Sequence, residues 1–284
     1  MTWLPSDISD DFTGNDGDAL NTLLWGVPYT RFSTTNYGAK IVGNAGRIYL
    51  TGVAASGGDT STVDSLFTIS GDFDIQIDFL NLVHLNHVAA GFSLAANLGS
   101  GDSFFIKAHY YSGNKFFIRF VAGGTSYDTE PTRTNAYGKF RLSRVGSICS
   151  VQYIDGSGST WSTAVTHSLD TTDATITLEY YDYNSGSEVR CDFDNFTVNS
   201  ADSIIVPSNQ IMLHSSGGVI LDGTSLYDII RDITLNSSGG LILSGNSILE
   251  ADWIRFVLDN VKITQQDSIY SVTQKVSKFI ATLL

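Results

Sequence analysis

The stretch "DFDIQID" places Asp74 and Asp78 on one side of an alternating segment, with Gln76 between them. Two carboxyls about 5–10 Å apart are what hydrolysis of a glycosidic bond needs. The four glutamates, Glu130, Glu179, Glu188 and Glu250, are scattered and offer no partner at such spacing. A solvated strand face is the better account of Asp74 and Asp78. The chain contains no G-x-S-x-G elbow, P-loop, H-E-x-x-H or C-x-x-C phrase. No catalytic residue is assigned, and hydrolysis is not expected.

Calcium is the candidate cofactor. "DDFTGNDGD" gathers Asp10, Asp11, Asn15, Asp16 and Asp18 on a glycine-containing turn, and hard oxygen donors of this kind are what the ion requires. The spacing is not that of an EF-hand, and Asp and Asn also serve turns by bonding the backbone. His84 and His87 flank a bend and His109 lies on an aromatic-rich strand. No third metal ligand can be placed beside them, so they read as structural. Tyr110, Tyr111, Tyr127, Tyr137 and Trp161 are candidates for stacking on sugar rings, although such residues also fill the rims of β cores.

The formal net charge of −13 argues against a nucleic-acid groove and against anionic membranes. No window approaches the ~20 apolar residues of a membrane span. The first residues, "MTWLPSDISDDF", lack the basic flank and apolar run of a secretory signal. Cys149 and Cys191 each fall on the apolar side of an expected strand. They read as a buried pair of free thiols, with a disulfide as the alternative.

These residues need strands to position them. Gly, Ser, Thr, Tyr and Phe are plentiful and glutamate is scarce, a composition that favours β structure over helix. In "FDIQIDFLNLV" Phe73, Ile75, Ile77 and Phe79 share one face, with Asp74, Gln76 and Asp78 on the other. "SFFIKAHYY" and "NKFFIRFVAGG" are joined at Ser112-Gly113-Asn114, a hairpin signal. "GKFRLSRVG", "ICSVQYIDGSGSTW", "ATITLEYYDY" and "SEVRCDFDNFTV" continue the series. Strands recurring at this spacing without intervening helices predict an all-β, antiparallel two-sheet sandwich.

"DDFTGNDGDALNTLLW", "NAGRIYLTG", "SGDFDIQIDF", "GKFRLSRVGS" and "DFDNFTV", in that order, resemble the concanavalin A-like lectin/glucanase superfamily, in its laminin-G-like jelly-roll branch, over about residues 9–199. The resemblance implies a jelly roll whose first and last strands pair, bringing Asp10 and Asp11 near Asp192 and Asp194, so that Asp194 could join a calcium site. Glycosidases of that superfamily carry Glu-x-Asp-x-x-Glu on one strand face. Here the nearest phrase has no glutamate, which points to binding rather than cleavage. The same resemblance implies a surface for glycans.

After Asn199 the pattern changes. Ile211–Gly223 and Ile233–Gly245 share nine of thirteen positions in the frame I-x-L-x-S-S-G-G-x-I-L-x-G. Gly-Gly supplies the positive φ of a tight reversal, so each copy reads as a small hairpin. Ile211, Leu213, Ile220 and Leu221 in the first copy, and Ile233, Leu235, Ile242 and Leu243 in the second, give each an apolar edge. Two hairpins cannot make a core alone and need stacking neighbours. Residues 252–264 could be helix or strands, and strands are favoured. Val276, Phe279, Ile280 and Leu283 recur at helical spacing, which predicts a terminal amphipathic helix.

The organisation expected is an arm at 1–8, a sandwich at 9–199, a linker at 200–210 and an assembly region at 211–284. The expected partners are further copies of the chain, as a homotrimer, together with other virion proteins and surface polysaccharide. With no signal peptide read, the expected setting is a bacteriophage particle, with the chain as a capsid-decorating, head-fibre or tail-associated protein. A carbohydrate-binding module or an inactive glycanase relative is the alternative.

Overall fold

The computed structural model describes residues 3–30, 36–51, 58–84, 89–110, 113–183 and 187–206, and eight strands beyond them. By internal contacts the chain divides into two units, Met1–Val206 and Pro207–Leu284.

In the first unit a 3-10 turn at Pro5–Asp7 precedes twelve strands. They are β1 (Asn36–Ile41), β2 (Gly46–Thr51), β3 (Asp59–Val83), β4 (Gly91–Leu98), β5 (Ser103–Tyr110) and β6 (Asn114–Ala122). Then come β7 (Thr125–Thr129), β8 (Gly138–Val145), β9 (Ile148–Asp155), β10 (Val165–Ser168), β11 (Ala174–Asp182) and β12 (Val189–Ile205). All their pairings are antiparallel.

Strand β3 explains the architecture. Its first half pairs with β11, β12 runs beside it from Thr68 to Val83, and from Phe73 to Phe79 it also pairs with β8. Gly71, at φ 72°, marks the corner where it passes from one layer to the other. The front layer runs β1-β2-β12-β3-β8-β9-β10 and the back layer β3-β11-β4-β5-β6-β7. Alternation then decides which side chains meet between them. Phe73, Ile75, Ile77 and Phe79 are buried, as the sequence predicts. Phe92 of β4 stacks on Phe193 of β12 at 5.6 Å, and Phe116 of β6 meets Phe140 of β8 edge-on at 6.2 Å. Each such fully buried side chain contributes roughly 1.5–3 kcal/mol before chain entropy is charged against it.

The all-β sandwich is as expected, but its borders are not. The residues expected as an N-terminal arm are packed down: Ile8 is fully buried and Trp3 lies against the core. The expected 200–210 linker is strand as far as Ile205, since β12 continues along β3 to Thr68. The implied pairing of chain ends is present as a single bridge, with Asp10 N–H donating to Phe196 O at 2.8 Å. Both cysteines are free and buried. Among the described residues no helix is long and apolar enough to cross a membrane.

The second unit corrects the hairpin reading. Its strands are β13 (Gln210–His214), β14 (Val219–Asp222), β15 (Asp232–Asn236), β16 (Leu241–Ser244), β17 (Ile254–Phe256), β18 (Val261–Gln265), β19 (Thr273–Gln274) and β20 (Phe279–Ala281). The two strands of one repeat do not pair with each other. Instead β13 pairs in parallel with β15, placing Ile211 beside Ile233 and Leu213 beside Leu235. Likewise β14 pairs in parallel with β16, with Ile220 beside Ile242 and Leu221 beside Leu243. The sequence repeat is therefore a stacking repeat: like residues sit on like residues in successive coils. The ambiguous residues form a third coil, β17 on β15 and β18 on β16. Most of the expected terminal helix lies outside the described residues, which near the C-terminus include two short strands. Strand β20, carrying Phe279 and Ile280, runs antiparallel to β17, and β19 antiparallel to β18. Val276 and Leu283 lie outside the described residues.

Candidate functional site

From Asp74 to Leu80 the even-numbered side chains of β3 point away from the core and share the outer side of the front layer with their neighbours. Register sets Asp78 opposite Lys139, Gln76 opposite Arg141, and Arg141 opposite Gln152 of β9. Acid on β3 thus meets base on β8, and cross-strand pairs of this kind hold a sheet face in order. Lys139 Nζ donates to Asp78 at 2.7 Å, and Arg141 Nε donates to Asp74 Oδ1 at 2.9 Å. The ion pair with Asp74 pushes the Arg141 guanidinium above its ordinary range. From β12, Asn199 Nδ2 donates to Asp74 at 3.1 Å and Asn195 Nδ2 donates to Asp78 at 3.2 Å. Asp74 and Asp78 are therefore half-buried, ion-paired carboxylates rather than the solvated face read from the sequence. Four residues of extended strand also separate their Cα atoms by about 13 Å.

Trp161 completes this face. It lies on the connection between β9 and β10, which is anchored by Gln152 Nε2 donating to Ser162 O at 2.9 Å and Ser162 N–H donating to Tyr153 O at 2.9 Å. The Arg141 guanidinium sits over the indole, 5.6 Å from the ring centroid. A half-buried indole flanked by amides, carboxylates and a guanidinium offers a flat apolar surface with hydrogen-bonding groups beside it.

The other aromatic candidates do not gather there. Tyr110 ends β5 and stacks on His84 at 5.3 Å. Tyr127 lies on the edge strand β7 and meets the ring of His167 in β10 at 4.0 Å, closing the gap between the two layers. Tyr137 is exposed just before β8. Tyr111 lies outside the described residues.

The carboxylates read as calcium ligands mostly serve turns. Asp11 accepts from the Thr13 hydroxyl at 3.0 Å, Asp16 from Gly43 N–H at 2.7 Å, and Asp18 from Asn15 N–H at 3.0 Å. Asp10 accepts from Trp25 Nε1 at 2.9 Å, and burial, with repulsion from Asp11 and Asp194, pushes its carboxyl up. Among the described residues no group of three or more His, Cys, Asp or Glu is placed to hold a metal ion. His109 is buried, and that burial lowers its imidazole to about 4.

The register adds a pair that sequence spacing does not reveal. Asp194 of β12 stands opposite Asp78 of β3, just before an irregularity where Asn195 adopts φ 51°. Burial first, then repulsion from Asp78 and Asp11, raises the Asp194 carboxyl. The basic partners Lys139 and Arg141 were also missed. The signal for them was present: K-x-R in "GKFRLSRV" complements D-x-Q-x-D in β3.

No protein-family model matches the chain, and no curated protein matches it in sequence. Among solved structures, a glycosyl hydrolase family protein from Mycobacterium fortuitum superposes with a TM-score of 0.52 at 10% identity, covering 67% of this chain and 97% of that one. An uncharacterized protein from Mycobacterium paratuberculosis gives 0.50 at 9% identity, covering 67% and 98%. A Bacillus licheniformis β-glucanase gives a lower score, 0.47, at 13% identity, covering 68% and 97%. At these identities the likeness is one of fold alone, an antiparallel β-sandwich.

Proposed function

We propose that the sandwich is a saccharide-binding module that does not cleave its ligand. The observation that carries this reading is Trp161 beside the Asp74–Arg141 pair, on a sheet face whose polar groups are already held in place. The indole takes the apolar face of a sugar ring, while Gln76, Gln152 and Asn199 meet its hydroxyls. Pairing of Asp74 with Arg141 and Asp78 with Lys139 supports binding without hydrolysis, because each carboxylate already has a cation partner. A glycan array on the full-length protein tests it, followed by titration of Trp161→Ala against the best ligand. Affinity should fall at least tenfold, about 1.4 kcal/mol, with the melting temperature unchanged. An array without any ligand, or a variant that binds as well as the parent, would sink the proposal.

One observation favours hydrolysis as a second reading. Asp78 and Asp194 are direct cross-strand neighbours, so their Cβ atoms lie about 4.5–5.5 Å apart. Their surroundings differ as those of an acid and its partner do: Asp194 is raised, while Asp78 is paired with Lys139. Release of reducing ends from a β-glucan, lost in Asp194→Asn, would establish this reading in place of binding alone.

The wider setting we propose is an appendage of a bacteriophage particle, supported by a binding sandwich followed in the same chain by a stack of short coils. Mass spectrometry of purified particles should find the protein in fixed stoichiometry with capsid or tail proteins.

A further inference from the structure

Register sets a row of side chains across β12, β3, β8 and β9, on the outer side of the front layer. Thr197 stands opposite Gln76, Gln76 opposite Arg141, and Arg141 opposite Gln152. Neighbouring strands lie roughly 4.8 Å apart, so the row is about 14 Å long, more than one sugar ring can cover. Trp161 stands at its β9 end, beside Arg141 and next to Ser162, whose carbonyl accepts from Gln152 Nε2 at 2.9 Å. Apart from Arg141 the row is uncharged, and its polar groups are already oriented. Gln76 Oε1 accepts from Asn199 Nδ2 at 3.4 Å, Gln152 Oε1 accepts from Arg141 Nη1 at 3.5 Å, and Thr197 Oγ1 donates to Asn195 O at 3.1 Å. An amide has two N–H groups and two lone pairs, and a hydroxyl oxygen has two lone pairs, so each keeps capacity for a ligand hydroxyl. Along β3, Asp74 and Asp78 flank Gln76 at about 7 Å on either side, paired with Arg141 and Lys139. With Asp194 opposite Asp78, this part of the face carries three carboxylates against two cations.

We propose that this row is a lane for an uncharged, linear saccharide chain lying across the strands, engaged through several consecutive rings rather than by a terminal sugar. The inference rests on the saccharide-binding reading above and names its ligand class. Length follows from the row. A ring on Trp161 leaves Gln76 and Thr197 out of reach, and only a chain of about three rings or more touches both ends. Charge follows from the borders. A carboxylated or sulfated chain would lie among Asp74, Asp78 and Asp194, where like charge opposes it, and the two cations that could answer it are committed to Asp74 and Asp78. Hydroxyl groups meet no such opposition, and the amides and the threonine oxygen match them.

Isothermal titration calorimetry of the full-length protein tests the lane. The probes are uncharged cello-, laminari- and manno-oligosaccharides of two to six rings, with oligogalacturonides of the same lengths as the acidic counterpart. For at least one uncharged series, affinity should rise about tenfold between the disaccharide and the tetrasaccharide and then level off. At low salt the oligogalacturonides should bind at least about tenfold more weakly than that series. Thr197→Val removes the hydroxyl farthest from Trp161. It should weaken the tetrasaccharide by a clearly larger factor than the disaccharide, a difference that general loss of fold does not produce. Should the variant fail to fold, the length series on the unmodified protein decides alone. Affinity independent of length, acidic chains bound as tightly as uncharged ones, equal losses at both lengths in Thr197→Val, or no binding of any uncharged series overturns the lane. Array ligands that are branched or held by a terminal ring leave the saccharide-binding reading standing while the lane falls, whereas an empty array removes both.

Discussion

Asp194 faces Asp78 directly across the β12–β3 ladder, two carboxylates side by side on one sheet face. Lys139 is bonded to Asp78, and among the described residues no ion pair joins a cation to Asp194. Like charges in opposed positions cost a sheet stability. Because the folded state raises the Asp194 carboxyl, the ionised form weakens the fold as pH rises above the unfolded carboxylate range. Asp194→Asn keeps an oxygen for the Asn195 N–H, which now bonds Asp194 at 2.7 Å. This variant should be more stable at pH 7 by about 0.5 kcal/mol, with the gain vanishing at pH 3. Urea midpoints at the two pH values decide it.

His109 works in the opposite direction. Its imidazole is lowered from 6.5 to about 4 by burial first, with Lys107, Arg133, His84 and Lys115 adding repulsion. The unfolded chain therefore binds this proton more readily, and stability should fall as pH drops from 6.5 toward 4. The full difference corresponds to roughly 3 kcal/mol. His109→Phe, which preserves a ring against Phe117, should flatten the stability profile across that window. A slope unchanged by the substitution would assign the acid sensitivity elsewhere.

Arg144 is a buried guanidinium bonded to backbone carbonyls. It is 1% exposed, donates to Gly71 O and Thr172 O, and lies 5.1 Å from the centroid of Phe73. Through these bonds it ties the corner of β3 to the entry of β11. Arg144→Met strips the Gly71 and Thr172 carbonyls of their donor and should cost about 2 kcal/mol. Arg144→Lys should recover less than half, because an ammonium cannot fork to both carbonyls as a guanidinium does. Chemical denaturation of the pair measures both values.

Gly138 opens β8, the strand that carries Lys139 and Arg141. A Cβ there would lie 2.1 Å from Ile154 O and 2.9 Å from the Phe79 ring. Gly138→Ala should destabilise the sandwich by about 2–3 kcal/mol. By moving β8 it should also weaken saccharide binding in proportion to Trp161→Ala. A variant as stable as the parent would mean that the two strands separate more easily than their spacing implies.

Much of the sandwich was legible in the sequence, because alternation is a local property. Phe73, Ile75, Ile77 and Phe79 face inward as their spacing dictates, and β5 and β6 pair antiparallel with Tyr110 opposite Asn114, as the hairpin signal between them predicts. Local patterns carry no information about which strand lies alongside. Asp78 and Asp194 are 116 positions apart in the numbering, and only the ladder makes them neighbours. The single length of β3 was hidden as well, because Gly71 lets the strand turn the corner unbroken. In the repeats Gly-Gly suggested reversal, a two-strand event. The period of the repeat held the better clue, because equal spacing is what lets Ile211 sit on Ile233.

The length of β12 has a mechanical consequence. From Arg190 to Ile205 it runs beside β3, and it leaves the sandwich at Val206. Tension drawn along the strand axis at that exit loads the whole ladder in shear, so its hydrogen bonds must yield together rather than unzip one by one. Since β3 belongs to both layers, the same load is shared by both sheets. A sandwich tethered at this point can bear a pull along β12 and still keep its face in shape.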